Sequence, residues 1–319
     1  MTIEVIQFRC GEAAPGGAVL ALDAFDGLHP GQVRVIEDAR GHAQRTGAPL
    51  SVLSFEPYPR RLLQPHVAPF ALLTRDQEIR ILDRLGVSRL YILTFDFGIA
   101  RMSHADFSRD VLHRTMGVRH VSASTRIAYG KDRVGDLHDL QAEGERHGFG
   151  VSIVEPALAI DGIRYSSSVV RGLIPEGRVS EVVSRLGRPF AIQGAVQHGA
   201  KLGRTIGFPT ANIALGDYIR PAAGIYASVS ILEDGRRLPS LSYIGRRPTV
   251  DDGDERLEVF LFDFDQDVYG QQVETALIDF LRPDECFPSL EAMQAQMEKD
   301  REKGRAIAFA ALQTAVFAS

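Results

Sequence analysis

The chain has no tryptophan and only two cysteines among its 319 residues. Cys10 and Cys286 lie far apart, so the sequence predicts neither a disulfide framework nor a cysteine-based metal cluster. A basic excess is also missing: the net charge is -5, whereas dedicated nucleic-acid binders usually carry surplus positive charge. There is no apolar run near the roughly 18 residues of a membrane span, and no signal-peptide pattern after Met1. These absences predict a cytoplasmic protein that binds neither nucleic acid nor membrane.

The first half of the chain alternates between strand-like and helix-like segments. The length of the whole chain, 319 residues, favours two domains, each large enough to bury a core. The predicted elements are a strand at Val19–Leu22, a helix from Gly31 to about Thr46, a strand at Ser51–Phe55, a helix from Thr74 to about Leu85, a strand at Leu90–Phe95, a helix from Ser103 to about Met116 and a strand near Val118–Val121. Such alternation predicts a parallel sheet with helices on both faces.

The pattern changes in the last third of the chain. Short alternating segments such as Phe190–Val196 and Glu258–Asp263 are separated by glycine- and proline-containing turns, which is typical of an antiparallel barrel or sandwich. A final helix is predicted to begin at Ser289. Pro175–Gly177 interrupts the chain before a short helix. We therefore predict a first domain over residues 1–174, a linker over 175–187 and a second domain over 188–319.

The segment His198–Ile213 is the most informative stretch of the sequence. Its glycines allow backbone N–H groups to approach a phosphate closely, and Lys201 and Arg204 add positive charge. Thr210 and Asn212 offer neutral oxygens two residues apart, on one face of an extended chain. These are the groups that a nucleotide with Mg²⁺ requires. The segment is not a P-loop, and its composition alone is equally compatible with a glycine-rich hairpin that has a basic tip.

This segment resembles the kinase signature of bacterial bifunctional riboflavin kinase/FMN adenylyltransferases, also called FAD synthetases. Further motifs of that family follow in the same order: Leu186–Pro189, Pro221–Ala227, Ile244–Thr249, Leu257–Asp263 and Leu281–Glu285. The resemblance covers nearly the whole chain and is densest from Leu186 onward. It implies an α/β plus β architecture, with an amino-terminal Rossmann-like nucleotidylyl transferase domain and a carboxy-terminal antiparallel β-barrel kinase domain that ends in a helix.

The resemblance assigns roles to residues of the second domain. Those implied to cover the phosphates of ATP are Gly199, Lys201, Gly203 and Arg204. Thr210 and Asn212 are implied to anchor Mg²⁺ and ATP, and Glu258 to act as the base for the ribityl 5′-hydroxyl of riboflavin. Arg282 is implied to contact the flavin. Without the family, Glu258 would be the outward-facing residue of an ordinary strand.

In the first domain the resemblance is less complete. After the first strand the family carries a His-x-Gly-His motif for the triphosphate. The corresponding segment of this chain reads Phe25, Asp26, Gly27, Leu28, His29, Pro30, Gly31 and Gln32. His29 matches the first histidine, but Gln32 stands in place of the second and cannot carry positive charge. Asp23 and Ala24 replace a glycine and an asparagine of the family pattern.

A second departure lies at Arg126, where the family has an acidic or amide residue near the flavin and the adenylate. Ser167 and Arg171 are retained, and Arg171 could bind phosphate or be an ordinary solvated helix residue. The resemblance therefore implies a riboflavin kinase that uses ATP, riboflavin and Mg²⁺, with weak or absent conversion of FMN to FAD. A fully bifunctional enzyme and a non-catalytic flavin or nucleotide sensor remain the alternatives.

Overall fold

The computed structural model describes residues 2–159, 161–198, 209–246 and 255–314. The chain divides into two compact units. The first comprises Met1–Ala68 and Arg75–Ser166, and the second comprises Pro69–Thr74 and Ser167–Ser319. The residues that the resemblance implies to cover the phosphates, Gly199, Lys201, Gly203 and Arg204, lie outside the described residues. The domain limits inferred from the sequence remain a prediction.

The first unit contains a six-stranded parallel sheet, as the alternating pattern predicts. The strands in chain order are β1 (Glu4–Phe8), β2 (Val19–Leu22), β3 (Leu50–Glu56), β4 (Arg89–Thr94), β5 (His120–Ser124) and β6 (Gly150–Val154). Their order across the sheet is β1-β4-β3-β2-β5-β6, and every neighbouring pair is parallel. β2 lies in the middle of the sheet and is fully buried, which explains its uninterrupted apolar sequence.

Helices connect the strands from β2 onward. They are α1 (Pro30–Thr46), α2 (Pro59–Leu63), α3 (Arg75–Arg84), α4 (Phe97–Ala100), α5 (His104–Asp106, continued by a π-helix over Phe107–Thr115) and α6 (Leu137–His147). The main core of this unit packs Leu20, Leu53 and Tyr91 of the sheet against Val111 and Leu112 of the π-helix.

Strand β5 begins two residues later than the sequence predicts, because Gly117 takes a positive φ of 51° and ends the preceding helix.

The second unit is a closed six-stranded barrel, which confirms the antiparallel prediction. Its strands are β7 (Phe190–Gln197), β8 (Ala211–Ala214), β9 (Gly224–Ile231), β10 (Arg237–Gly245), β11 (Arg256–Leu261) and β12 (Gln272–Pro283). They follow one another around the barrel in the order β10-β11-β8-β7-β12-β9, and β9 closes the barrel by pairing with β10. Helices α7 (Ser167–Leu173), α8 (Val179–Leu186) and α9 (Leu290–Leu312) belong to the same unit.

Apolar side chains from outside the strands complete the barrel core. Val170 and Leu173 of α7, together with Val179 and Val182 of α8, are buried in the same cluster as the barrel residues. Helix α9 begins with a Ser289 cap, whose hydroxyl accepts a hydrogen bond from the Ala292 N–H, as the sequence predicts. None of the helices in the described residues combines the length and the apolar character needed to cross a lipid bilayer.

One wall of the barrel interior is lined with hydroxyl groups. Ser228 and Ser230 share a strand face with Tyr226, which belongs to the barrel core. The hydroxyls form a chain in the order Ser242, Ser228, Ser240, Ser230 and Thr275, with successive oxygens 2.7, 2.8, 2.9 and 3.1 Å apart. All five side chains are buried, and each hydroxyl is hydrogen-bonded to at least one of the other four. This pairing removes the penalty of burying the hydroxyls.

Candidate active sites

Strand pairing brings Glu258, Asn212 and Thr210 together on the barrel. Glu258 of β11 lies directly opposite Asn212 of β8 in the antiparallel register. The Thr210 hydroxyl donates a long hydrogen bond of 3.4 Å to Glu258 Oε2, and the Asn212 amide donates to the Thr210 carbonyl at 3.4 Å. Glu258 is only 5% exposed, while Thr210 and Asn212 are half-buried. The three residues that the sequence assigns to catalysis and Mg²⁺ binding therefore form one group.

The other neighbour of Glu258 is Tyr243, which lies opposite it on β10. The Tyr243 hydroxyl donates a 2.8 Å hydrogen bond to Asp284 Oδ2. A Cβ at Gly245 would lie 2.1 Å from that hydroxyl oxygen, so only glycine leaves room for the ring as it is placed. The sequence reasoning assigned no role to Tyr243, the register neighbour of Glu258, or to its hydrogen-bond partner Asp284. The glycine that follows Ile244 in the family motif is the signal that could have revealed the tyrosine's close packing.

Arg282 lies at the end of β12 and is held by an ion pair with α9. Its Nε donates to Asp300 Oδ2 at 2.9 Å, and its guanidinium stacks 5.5 Å from the centre of the Phe287 ring. The Gln296 amide donates to the other carboxylate oxygen of Asp300 at 2.9 Å. These contacts fix the guanidinium in one orientation against the middle of the terminal helix. Contact between Arg282 and a flavin remains a prediction.

The start of the glycine-rich segment lies at the end of β7. His198 packs its ring against Tyr269, with the ring centres 4.0 Å apart. This contact favours the interpretation of His198 as a packed loop residue rather than as a nucleotide ligand.

In the first unit, His29 and Gln32 form the amino-terminal cap of α1. The Gln32 backbone N–H donates to His29 Nδ1 at 3.2 Å, and the His29 backbone N–H donates to Gln32 Oε1 at 3.2 Å. This reciprocal pair is a capping box. Because His29 Nδ1 accepts, the proton of the neutral ring lies on Nε2. The glutamine is 3% exposed, and its carbonyl oxygen is used inside the cap.

The same glutamine contacts a second residue that departs from the family pattern. Gln32 Nε2 donates to Asp23 Oδ1 at 3.4 Å, and Asp23 Oδ1 also accepts a 2.6 Å hydrogen bond from the Ala24 N–H. Both polar ends of the Gln32 side chain are thus engaged by neighbouring protein groups. Two of the departures from the family pattern, at positions 23 and 32, are thus in direct contact.

The loop before the cap has an unusual backbone. Gly27 has a φ of 91°, and Leu28 has a φ of 49°, which is rare for a residue with a side chain. The loop is anchored by Phe25 and Leu28, which are both buried, while Asp26 is half-buried. A Cβ at Gly31 would lie 3.2 Å from His29 Nδ1, so a glycine here lets the histidine ring pack against the helix start. Such backbone strain is often found at ligand-binding loops.

The remaining residues assigned to adenylyl transfer lie elsewhere in the chain. Arg126 is exposed and follows β5 in the first unit. Ser167 and Arg171 belong to α7 in the second unit. Arg171 Nε donates to the Phe70 carbonyl at 2.9 Å, and its guanidinium lies 5.6 Å from the centre of the Phe70 ring. In the second unit, therefore, Arg171 helps to hold the segment Pro69–Thr74.

Comparison with known proteins agrees with both halves of this description. A riboflavin kinase family model matches residues 186–308, and an FAD synthetase family model matches residues 11–169. The bifunctional riboflavin kinase/FMN adenylyltransferase of Escherichia coli strain K12 is 34% identical over 295 residues, which cover 92% of this chain and 94% of that protein. The Pseudomonas fluorescens protein of the same name is 36% identical over 293 residues, covering 92% and 93%.

A solved structure resembles the chain over nearly its full length. The crystal structure of a macrolide-efflux protein from Streptococcus pneumoniae has a TM-score of 0.84 and 30% sequence identity, and the match covers 95% of this chain and 99% of that one. The fold, the grouped barrel residues, the capped helix start and the sequence relatives point the same way: the chain belongs to the bifunctional riboflavin kinase/FMN adenylyltransferase family.

Proposed function

We propose that this chain transfers the terminal phosphate of ATP to riboflavin, giving FMN and ADP. The observation that carries the proposal is the grouping of Glu258, Thr210 and Asn212 on one face of β8 and β11. Phosphoryl transfer to an alcohol requires an oriented hydroxyl, a carboxylate to accept its proton and neutralisation of the phosphate charge. The grouped residues supply the carboxylate and the oxygen ligands.

In this proposal Glu258 takes the proton of the attacking 5′-hydroxyl of riboflavin. Its burial keeps the carboxylate largely out of water, and the hydrogen bond from Thr210 orients Oε2. Tyr243, opposite Glu258 in the strand register, packs its ring over Gly245 of its own strand, and its hydroxyl is fixed through Asp284. The base is therefore preorganised by its neighbours, which is the condition for efficient proton transfer.

The donor set fits Mg²⁺, which prefers hard oxygen ligands. Thr210 would hold the ion through its hydroxyl and Asn212 through its amide oxygen. When bound with ATP, Mg²⁺ would neutralise charge on the phosphates. Arg282, fixed by Asp300, is the residue proposed to contact the flavin.

We further propose that adenylyl transfer to FMN is weak or absent. Adenylyl transfer builds negative charge at the α-phosphate, and a positioned donor or cation must stabilise that charge. Gln32 cannot become positively charged, and its carbonyl and amide groups are engaged by His29 and Asp23. The single histidine at this helix start, His29, keeps Nε2–H as a donor. One of the two imidazoles of the family motif is thus replaced by a neutral side chain that is already hydrogen-bonded.

Full bifunctionality is the main alternative, because the capped helix start and the strained Gly27–Leu28 loop are both present. Such a site could still bind the triphosphate through helix N–H groups and His29. A non-catalytic flavin or nucleotide sensor is a third possibility. The buried Glu258 argues against it, since a binding protein has no need of a general base.

One assay separates the three functions. The purified chain is incubated with riboflavin, ATP and Mg²⁺, and the flavins are separated by chromatography. We expect FMN to accumulate with little or no FAD. Rapid FAD formation would identify a bifunctional enzyme, and binding of flavin without any FMN would identify a sensor.

A further inference from the structure

A cluster of two histidines and an aspartate lies in the first unit, away from the capped helix start. Asp38 and His42 occupy positions i and i+4 of α1 and so lie on the same side of that helix. His120 is the first residue of β5. Asp38 follows His29 by nine residues, which places it roughly 13 Å further along the helix axis. The cluster is therefore distinct from the proposed nucleotide site.

The three side chains bring potential metal ligands close together. One ligand atom from each of Asp38, His42 and His120 lies within 4.8 Å of the other two. His42 Nε2 and Asp38 Oδ2 are 3.9 Å apart. The side chains of His42 and Asp38 are 25% and 35% exposed, so an ion from solution can reach them. Among the described residues, this is the one group of three or more such side chains with this spacing.

Two serines hold the carboxylate in place. Asp38 Oδ2 accepts hydrogen bonds from the hydroxyl of Ser122 at 2.7 Å and from the hydroxyl of Ser152. The Ser152 hydroxyl also lies 3.0 Å from His120 Nε2. Such hydrogen bonds orient the carboxylate of a metal ligand, whereas the Ser152 contact with His120 Nε2 has to be given up if that nitrogen binds the ion. The serines come from β5 and β6, so the sheet itself positions the cluster.

The backbone also makes room for the ring of His120. A Cβ at Gly150 would lie 2.6 Å from His120 Nδ1, so any other residue at the start of β6 would displace the imidazole. The His42 and His120 rings are stacked, with their centres 3.5 Å apart and their planes 15° from parallel. The rings of His42 on α1 and His120 on β5 are thus held together beside Asp38.

From this geometry we propose that Asp38, His42 and His120 bind a divalent transition-metal ion, with Zn²⁺ as the preferred occupant. Two imidazoles and one carboxylate suit Zn²⁺ and its first-row neighbours, whereas Mg²⁺ and Ca²⁺ prefer all-oxygen sites. Three protein ligands leave a fourth position for water or another small ligand. The site is separate from the Mg²⁺ proposed for ATP, and the two ions differ in ligand chemistry.

Metal binding requires a defined rearrangement. The lone pairs of an imidazole lie in the plane of its ring, so two parallel stacked rings cannot both direct a lone pair at one ion. One ring has to turn out of the stack, and the ligand atoms have to approach to within about 3.3 Å of each other, the separation of two ligands at the Zn–N distance from a tetrahedral ion. Opening of the stack is therefore a signature of binding.

The test is a Zn²⁺ titration of the full-length chain, prepared without an affinity tag and treated with a chelator. Calorimetry measures stoichiometry and affinity, and side-chain NMR of the histidines identifies the ligands. We expect one ion per chain, with large shifts for His42 and His120. Millimolar Mg²⁺ should not prevent binding. Asp38→Asn and His42→Gln should each abolish this event, and Ser152→Ala should weaken it about 10- to 100-fold.

His147→Gln is the matched control. His147 stacks on His113 with ring centres 5.1 Å apart and lies 3.2 Å from Glu143, so it also belongs to a histidine–carboxylate group of the first unit. This variant should bind Zn²⁺ like the unmodified chain, and circular dichroism verifies that every variant is folded. The proposal is overturned if Zn²⁺ does not bind saturably, if folded Asp38→Asn retains full affinity, or if His113 and His147 shift in place of His42 and His120.

Discussion

The two candidate sites are assembled in different ways. In the barrel, Glu258 and Asn212 are 46 positions apart in sequence and meet because β11 pairs with β8. In the first unit, His29 and Gln32 are three residues apart and meet because they cap the same helix. The barrel site therefore depends on tertiary pairing, whereas the helix-start site depends on local geometry. A local site can keep its shape when one of its side chains is exchanged: Gln32 completes the cap of α1 although it cannot carry the positive charge of an imidazole.

The sharpest way to test the separation of the two units is to cut the chain. A fragment from Arg188 contains all the barrel strands, and the sequence predicts that it folds and phosphorylates riboflavin. It lacks Val170, Leu173, Val179 and Val182, which are buried in the barrel core. At about 1.5 kcal/mol or more for each buried apolar side chain, their loss costs roughly 6 kcal/mol.

A fragment from Ser167 retains those four side chains and is the matched comparison. Since whole domains are stable by only about 5–15 kcal/mol, we expect the longer fragment to be clearly more stable in urea unfolding and to retain kinase activity. Equal stability of the two fragments would mean that α7 and α8 are not part of the folding unit.

Glu258→Gln probes the site that depends on strand pairing. Glutamine keeps the size and the hydrogen-bonding oxygen but cannot accept the substrate proton. We expect turnover of riboflavin to fall about 10²- to 10⁴-fold, with ATP binding nearly unchanged. A loose phosphoryl-transfer transition state would put the effect toward the lower end. Glu274→Gln on β12 is the control, and native turnover in Glu258→Gln would remove the base assignment.

Restoring the family residues probes the helix-start site. Gln32→His supplies a second imidazole, and Arg126→Asp replaces the cation near the expected flavin position. Asp23→Gly is added in a third step, because the Asp23 carboxylate would otherwise pair with the new histidine as it does with Gln32. We expect FAD formation to rise stepwise, by up to about 10²-fold for the added donor. The readout is the rate of FAD formation from FMN and ATP, with kinase turnover measured in parallel. Rapid FAD synthesis by the unmodified chain would contradict the premise.

The smallest expected effect is an acid sensitivity of the first unit. Burial and the neighbouring His42 lower the pKa of His120 to about 4 from an ordinary value of 6.5. As the pH is lowered from 6.5 to about 4, the unfolded chain takes up a proton that the folded chain does not. The free energy of unfolding therefore decreases as the pH falls through this window. Burial raises the pKa of Asp38, but the hydrogen bonds from Ser152 and Ser122 and the nearby imidazoles outweigh the effect of burial. The pKa of Asp38 is therefore below its ordinary value.

His120→Asn removes the titrating group while keeping a polar side chain. In the presence of a chelator, its unfolding midpoint should change less between pH 7 and pH 5 than that of the unmodified chain. His147→Gln serves as the reference for the loss of a different histidine. The charged or titrating groups that face His120 are Asp38, His42 and Arg45 of α1. An equal pH response in all three proteins would assign the acid sensitivity to other groups.

The sequence predicts much of the fold because its patterns are local. Continuous apolar runs identify β2 and β4, the apolar residues between the serines of β3 identify that strand, and Ser289 identifies the start of α9. Strand β1 is missed because it is largely exposed and carries a single buried residue, Phe8, so its apolar pattern is weak. Strand β6 is missed for the same reason, since only Val154 is buried in it.

The site residues, like the elements of the fold, are predictable only where the signal is local in sequence. The residues at the barrel are identified through the family motif, but their contacts depend on pairing that no single segment encodes. Tyr243 carries no signal of its own, and its role follows from the missing side chain at Gly245. The metal cluster joins α1 to β5 and β6, so a spacing rule within one segment detects only Asp38 and His42.

The hydroxyl chain inside the barrel has a consequence that follows from counting protons. The five hydroxyl groups carry five protons, and the four hydrogen bonds between them use four. The fifth proton must therefore be donated to an acceptor that is not one of these five hydroxyls. Thr275→Val removes one proton and one link from the end and leaves that count unchanged. Ser240→Ala cuts the middle and leaves two pairs, each with a proton to donate elsewhere. The interior of this barrel therefore tolerates loss at the end of the chain better than loss at its centre.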